Sequence, residues 1–285
     1  MNVISASLSL LRIVGSEDET PYAEVHSLYR ISDIDVDDLL EMLTVCRLIV
    51  KHSENLILSD TGTKVLLDAS DNYDKGIRVI LREYVLHTEP IWSKRIPYGR
   101  CEATTFMTKD EKSCFYEAGL LDEYPDYGVV LWWDNLSEII RKRVDALKNE
   151  TGRSGEKCTI AFETERVDKK PLWRSIDSNM LGYDIMSVAS QTDNTPLLIE
   201  VKTSADDMEH AYFHISSNEW RVATHVTEYA FYLWNLCGGK KKLAIVKPKE
   251  MSSHMPENKE SGEWESVKIP FKSFIDKFTE WSGSI

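Results

Sequence analysis

Two carboxylates and an ammonium recur at strand spacing past the middle of the chain. Asp184 lies in Gly182-Tyr183-Asp184-Ile185, and Glu200 and Lys202 lie in Leu197-Leu198-Ile199-Glu200-Val201-Lys202-Thr203. Both stretches are short, apolar and β-branched. Residues 190–196 between them are dense in turn formers, so the pair reads as two strands. Side chains alternate faces along a strand, which sets Glu200 and Lys202 on one face and Ile199 and Val201 on the other. Asp184 points opposite to Tyr183 and Ile185. If the strands pair, Asp184, Glu200 and Lys202 converge at one spot on an otherwise apolar sheet. Carboxylate oxygens are the ligands Mg²⁺ prefers, usually with waters retained. A metal held by Asp184 and Glu200 would bind a phosphodiester oxygen and lower the pKa of a bound water. Lys202 would orient that water or offset charge developing at phosphorus. A bare E-x-K has a plainer reading, an ion pair on a solvated strand face.

A third carboxylate, Glu156, lies upstream in residues 151–162, which read as a helix start: small and polar residues come first, then Cys158, Ile160, Ala161 and Phe162. Glu156 falls in the expected first turn, where a favourable helix-dipole contact is the alternative to a role at a metal. Taken together, E…D…ExK resembles the PD-(D/E)XK nuclease superfamily. The ordered string Gly152-x-x-Gly155-Glu156, Trp173-Arg174-Ser175, Gly182-Tyr183-Asp184-Ile185, Ile199 to Ser204, Ser217-Asn218-Glu219-Trp220 and Tyr229 to Trp234 resembles the C-terminal domain family of protein NO VEIN. The resemblance covers roughly the last half of the chain. It implies a restriction-endonuclease-like domain and a metal-dependent nuclease that cleaves nucleic acid, DNA foremost. It further implies Mg²⁺ or Mn²⁺ held by Asp184 and Glu200 with the Val201 carbonyl, Lys202 as the water-orienting group, and Glu156 as an accessory acid. Restriction or anti-phage defence follows only by analogy at the level of fold. The alternative is a non-catalytic recognition or effector-binding module that uses such a fold for contact.

The elements that must position these groups divide the sequence into three: a winged-helix-like domain at 1–70, a helical connector at 71–150, and a nuclease-like domain at 151–285, an α+β or α/β chain with a mixed sheet flanked by helices. Helices are expected over 7–14, 21–29 and 34–47, the last capped by Ser32 or Asp33. A hairpin over 48–58 and a helix from 59 follow, an order that resembles a winged helix. Helices are also expected over 75–87, 109–121 and 135–147, and the connector that holds them is expected to pack on the nuclease-like domain. Trp92, Trp132, Trp133, Tyr116, Tyr124 and Tyr127 read as packing residues before stacking platforms. Arg141, Lys142 and Arg143 read as a solvated helix face before a phosphate contact. Downstream, a strand at 213–215, a helix capped by Ser217, strands at 228–234 and 242–246, a loop at 252–262, and a final strand and amphipathic helix at 268–281 complete the reading.

The chain has 285 residues, 42% of them hydrophobic and 28% charged, enough apolar material for a real core. Residues 1–14 show no secretory leader, and no apolar run approaches membrane-spanning length, so no membrane partner is expected. Five scattered cysteines without a CxxC suit reduced thiols and a cytoplasmic location rather than a disulfide frame or zinc site. His210 and His214 lack the H-E-x-x-H pattern, no P-loop or G-x-S-x-G elbow occurs, and Gly152 and Gly155 are too close for a dinucleotide signature. The net charge of -13 counts against indiscriminate DNA binding and suggests an enzyme that needs a metal, a partner or a special substrate.

The third N-terminal helix carries Asp33, Asp35, Asp37, Asp38 and Glu41 in or beside it, against Lys51, Lys64, Arg47 and Arg12 dispersed around it. Phosphates would be repelled, since each contact needs a cation. Residues 1–69 are therefore expected not to bind duplex DNA. They should instead pack against the chain's own middle segment, or against another chain: a second copy in a homodimer, or a basic protein partner. Gel shifts with that segment check this: sub-micromolar duplex binding at about 150 mM salt, where screening extends over about 8 Å, would overturn it.

Overall fold

Apolar side chains at helical spacing draw the N-terminal half into one core. A computed structural model describes residues 3–178, 180–257 and 264–284. The chain divides into two compact units, Met1–Val144 and Asp145–Ile285.

In the first unit, helices Val3–Val14, Tyr22–His26 and Val36–Val45 precede an antiparallel hairpin of Ile49–His52 and Asn55–Leu58, then helix Asp60–Asp71. A short strand, Thr20–Pro21, joins the hairpin beside Asn55–Leu58. Element order follows the sequence reading, and three details differ. The first helix starts at Val3, four residues earlier than the apolar pattern marks. Pro21 lies in the short strand and precedes the second helix instead of opening it. The cap of the third helix is Asp35, whose side chain accepts the Asp37 N–H at 2.9 Å, in place of Ser32 or Asp33. Ser59 caps the next helix by accepting the Gly62 N–H at 2.9 Å.

Helices Tyr73–Thr88 and Lys109–Glu117 bring Ile77, Ile80, Leu81 and Phe115 into the same buried cluster as Leu8, Leu11, Leu39 and Leu43. Residues 71–144, read as a connector, thus share the core of the N-terminal module. Trp92 and Trp133 are buried there, whereas Tyr116, Tyr124 and Tyr127 are exposed. The basic cluster is held locally. Arg143 donates to the Leu86 carbonyl at 2.7 Å and to Glu89 at 3.0 Å, and Lys142 pairs with Glu138 at 2.6 Å.

The second unit is built on a six-stranded mixed sheet. Its order is Thr279–Glu280, Lys242–Val246, Tyr229–Asn235, Pro196–Ser204, Ile185–Val188 and Leu172–Trp173. Only Pro196–Ser204 and Tyr229–Asn235 run parallel, and helix Ser217–His225 lies in the crossover between them. All seven residues of Tyr229–Asn235 are buried, because apolar clusters cover both faces of the sheet. One face packs Ile185, Ile199, Tyr232 and Trp234 with Cys158 and Phe162. The other packs Phe231 and Leu233 with Phe213, Ile215, Ala223 and Phe271. Strand Tyr212–Ser216 pairs with Ser266–Pro270. The amphipathic helix expected near the C-terminus is a 3₁₀ segment, Phe271–Lys277. Phe271 and Phe274 are buried, and the backbone kinks out of helical geometry at Phe274. The loop expected at 252–262 begins with a 3₁₀ turn, Ser252–His254, and residues 258–262 of it lie outside the described residues.

The helix start expected at 151 is instead the interior of one helix, Tyr127–Val167. The small residues that suggest a beginning meet a packing demand. A Cβ at Gly155 would stand 1.8 Å from Thr203 Oγ1 and 2.9 Å from Thr203 Cβ, so helix and motif strand approach closer than any side chain permits. Gly155→Ala would gain about 1 kcal/mol of helix propensity. Overpacking costs about 1–3 kcal/mol and should win, because one clash is with Cβ itself, the rigid root of the side chain. Urea denaturation is expected to show a net destabilisation, partly recovered when Thr203→Ala is added.

Candidate active site

Asp184 sits one residue before strand Ile185–Val188, which pairs antiparallel with Pro196–Ser204 so that Ile185 stands opposite Ile199. The Asp184 N–H donates to the Ile199 carbonyl at 2.9 Å, and its Oδ2 accepts the Val201 N–H at 2.9 Å. The carboxylate thereby extends the ladder where the main chain turns away. The strand expected at 182–185 is a turn up to this point. Gly182 has φ 74°, its carbonyl accepts the buried Tyr229 hydroxyl at 2.7 Å, and a Cβ there would press on Val222.

Glu200 is 5% exposed and lies on the motif strand opposite the Ile199 and Val201 face. Lys202 Nζ donates to Glu200 Oε1 at 2.8 Å and reaches Glu219 Oε2 at 3.0 Å. Glu219 comes from helix Ser217–His225, where it forms a capping box. Ser216 N–H donates to Glu219 Oε2 at 2.9 Å, and Ser216 Oγ accepts the Glu219 N–H at 3.2 Å. The cap is therefore Ser216, one residue before the expected Ser217. The sequence reading assigns Glu219 no role, although its signal is present twice, in the Ser216-x-x-Glu219 spacing and in the Asn218-Glu219-Trp220 string.

Glu156 lies within the long helix, so the first-turn dipole contact does not apply to it. Its carboxylate accepts hydrogen bonds from Ser175 Oγ at 2.5 Å, from Arg153 Nη1 at 2.9 Å, and from Trp173 Nε1. It stands close enough to Asp184 for its charge to raise that carboxyl's proton affinity. Glu200, Lys202 and Glu219 thus meet directly, while Asp184, bonded to the Val201 N–H, feels Lys202 and Glu219, like Glu156, through their fields.

Burial pushes the Asp184 carboxyl up to about 6, against the Val201 N–H, which favours the charged form. Burial also raises Glu200 well above the carboxylate range, opposed by Lys202 and reinforced by Asp184. Burial alone would loosen the Lys202 proton. Glu200 and Glu219 overcome it and hold the ammonium above its ordinary value.

Residues 155–246 match the model of the family described as Protein NO VEIN, C-terminal. The matched segment opens one residue before Glu156 and contains Asp184, Glu200, Val201, Lys202 and Glu219. No curated protein and no solved structure matches the chain.

Within the matched segment the donor set suits a hard divalent cation. Asp184 and Glu200 offer oxygen only, the kind of ligand hard divalent cations take, and burial disfavours the charged form of both. Backbone N–H and C=O of one strand residue point the same way, so the Val201 carbonyl lies on the edge where its N–H meets Asp184. Among the described residues no group of three or more His, Cys, Asp or Glu side chains is placed to hold a metal ion.

The raised Asp184 carboxyl has a stability consequence. Its folded value of about 6 exceeds the ordinary 3.8, so the native state binds the proton more tightly. The stabilisation is complete below the ordinary value and is lost as pH rises through the folded one. Asp184→Asn keeps an acceptor for Val201 and removes the buried charge. In metal-free buffer the variant should gain about 1–3 kcal/mol on wild type between about pH 4 and about pH 8. Urea melts at the two pH values measure this, and a pH-independent difference would refute the raised carboxyl.

Proposed function

We propose that the chain is a divalent-metal-dependent nuclease whose second unit has a PD-(D/E)XK fold and whose N-terminal elements form a winged-helix-like module. The observation that carries the reading is the convergence of Asp184, Glu200 and Lys202 where the Ile185–Val188 and Pro196–Ser204 strands meet, inside a segment similar to the NO VEIN C-terminal family. Asp184 and Glu200, with the Val201 carbonyl, would hold Mg²⁺ or Mn²⁺. The bound ion supplies Lewis acidity and a water of lowered pKa. Lys202 keeps a fixed positive charge beside the two carboxylates, placed to orient a nucleophilic water or balance charge at phosphorus. Glu219 fixes the lysine from the neighbouring helix, and Glu156 tunes Asp184 from its own nest. The substrate would be nucleic acid, with DNA foremost, and a role in restriction or anti-phage defence is consistent with such a chain.

One observation favours the non-catalytic alternative. Lys202 already has two carboxylate partners, which is also what a buried structural ion network provides. Incubation of the purified protein with plasmid, single-stranded DNA and RNA in Mg²⁺ or Mn²⁺ separates the two. Cleavage should fall by about 10² or more in Asp184→Ala, Glu200→Ala and Lys202→Ala, and Glu156→Gln should cost less than Glu200→Gln. A divalent-metal rise in Tm should vanish with Asp184→Ala. Metal-indifferent melting and no cleavage of any substrate would favour the recognition module.

A further inference from the structure

Helix Ser217–His225 has two sides with different work. Glu219 turns inward to Lys202. Along its outer side runs a cavity of about 420 Å³ lined by Asn218, Trp220, Arg221, Thr224, His225 and Trp264. Trp220 and Thr224 also line an adjoining cavity of about 400 Å³, whose far wall carries Lys247 and Lys249. Because the two share those residues, they form one continuous groove with Arg221 and His225 toward one end and Lys247 and Lys249 toward the other.

The charge of this groove is unusual for a chain with net charge -13. Among the described residues neither Arg221 nor Lys249 lies within ion-pair distance of a carboxylate. The hydrogen bond from Arg221 Nη2 goes to the Asn218 amide at 2.9 Å. The acids nearby are mostly engaged elsewhere. Glu219 is committed to Lys202 and the Ser216 N–H, and Glu250 to Lys277 and the Lys247 N–H. Glu228 is the carboxylate that lines the groove itself. Asn218, which lines the groove, donates its Nδ2 at 3.2 Å to the Met180 carbonyl, four residues before Asp184.

We infer that this groove, on the outer side of the helix that carries Glu219, holds a single strand of nucleic acid. Arg221, Lys247 and Lys249 take successive phosphates, and the bases lie along the part of the groove that Trp220 and Trp264 line. Cations that track a backbone beside aromatic faces are the elements of sequence-tolerant single-strand binding. Charge complementarity selects the occupant, since a cationic groove on an acidic chain recruits polyanions locally while the rest of the surface repels them. The inference rests on the nuclease reading but concerns binding, which is measured without cleavage.

The test uses the full-length protein in EDTA with fluorescently labelled oligo-dT and oligo-U of about 20 nucleotides, read by anisotropy at about 50 mM salt. Wild type and Lys94→Glu, a charge reversal at an exposed position of the first unit, should bind alike. Arg221→Glu and Lys249→Glu, both at exposed positions, should each weaken binding at least about fivefold, and the salt dependence should flatten by roughly 0.7 in logarithmic slope for each phosphate no longer held. Unchanged melting temperatures show that the charge-reversed proteins are folded. Absence of binding by wild type, binding unaffected by both groove reversals, preference for duplex over single strands, or equal competition by polyglutamate would each overturn the assignment. If binding behaves as expected and no cleavage occurs with metal, the nuclease reading fails and the groove stands.

Discussion

A lysine that cannot be left unpaired organises the second unit. The Lys202 ammonium is largely withdrawn from solvent, on a strand where its partner is the buried Leu233, so water does little to balance its charge. Glu200 from the same strand and Glu219 from the crossover helix balance it instead. The pairing fixes more than one contact. It holds helix Ser217–His225 against the sheet and places the Ser216 cap. A buried pair of this kind is weak evidence for added stability, because desolvation offsets most of the attraction. Its value lies in geometry, since a charged triad has far fewer arrangements than an apolar contact of the same size.

The opposite face of the sheet solves a similar problem by different means. Glu163 is fully buried, yet its two oxygens are engaged by Arg166 at 2.8 and 2.7 Å and by the Tyr232 hydroxyl at 2.7 Å. Arg166 also donates to the Val188 and Ala189 carbonyls. Nearby, Trp234 Nε1 donates to Thr159 Oγ1 at 2.7 Å. The long helix is therefore keyed to the sheet by polar bonds as well as by Phe162 and Cys158. Glu163 has both oxygens engaged by partners inside the fold, whereas the charge of Asp184 raises the proton affinity of Glu200.

How much was legible follows from the range of the interactions involved. Period-two alternation in Leu197 to Thr203 and the turn formers at 190–196 are local signals, and they announced the hairpin that joins Asp184 to Glu200. The helices of the first unit, with their apolar stripes, were legible for the same reason. Gly152, Ser154 and Gly155 misled because local propensity favours a break there, while the tertiary demand of Thr203 requires a glycine inside a helix. Pro21 and the Ser217 cap erred by a residue or so, the usual reach of capping ambiguity. Glu219 was missed because its value depends on a crossover that returns it to Lys202, a closure no window of sequence displays. The shared core of residues 3–144 was hidden likewise, since its partners are separated by many tens of residues.

The parallel pairing of Pro196–Ser204 with Tyr229–Asn235 also sets an order of assembly. The hairpin that carries Asp184 and Glu200 closes across a short turn, with little loop entropy to overcome. The parallel partner and the helix bearing Glu219 arrive only after the crossover between them is enclosed, a slower, non-local event. During synthesis the two carboxylates would therefore face each other before the second anion that locks Lys202 is in place. The nascent hairpin spends that interval as an unpaired strand edge, and the Ser217–His225 crossover, by delivering Tyr229–Asn235, is what ends its exposure.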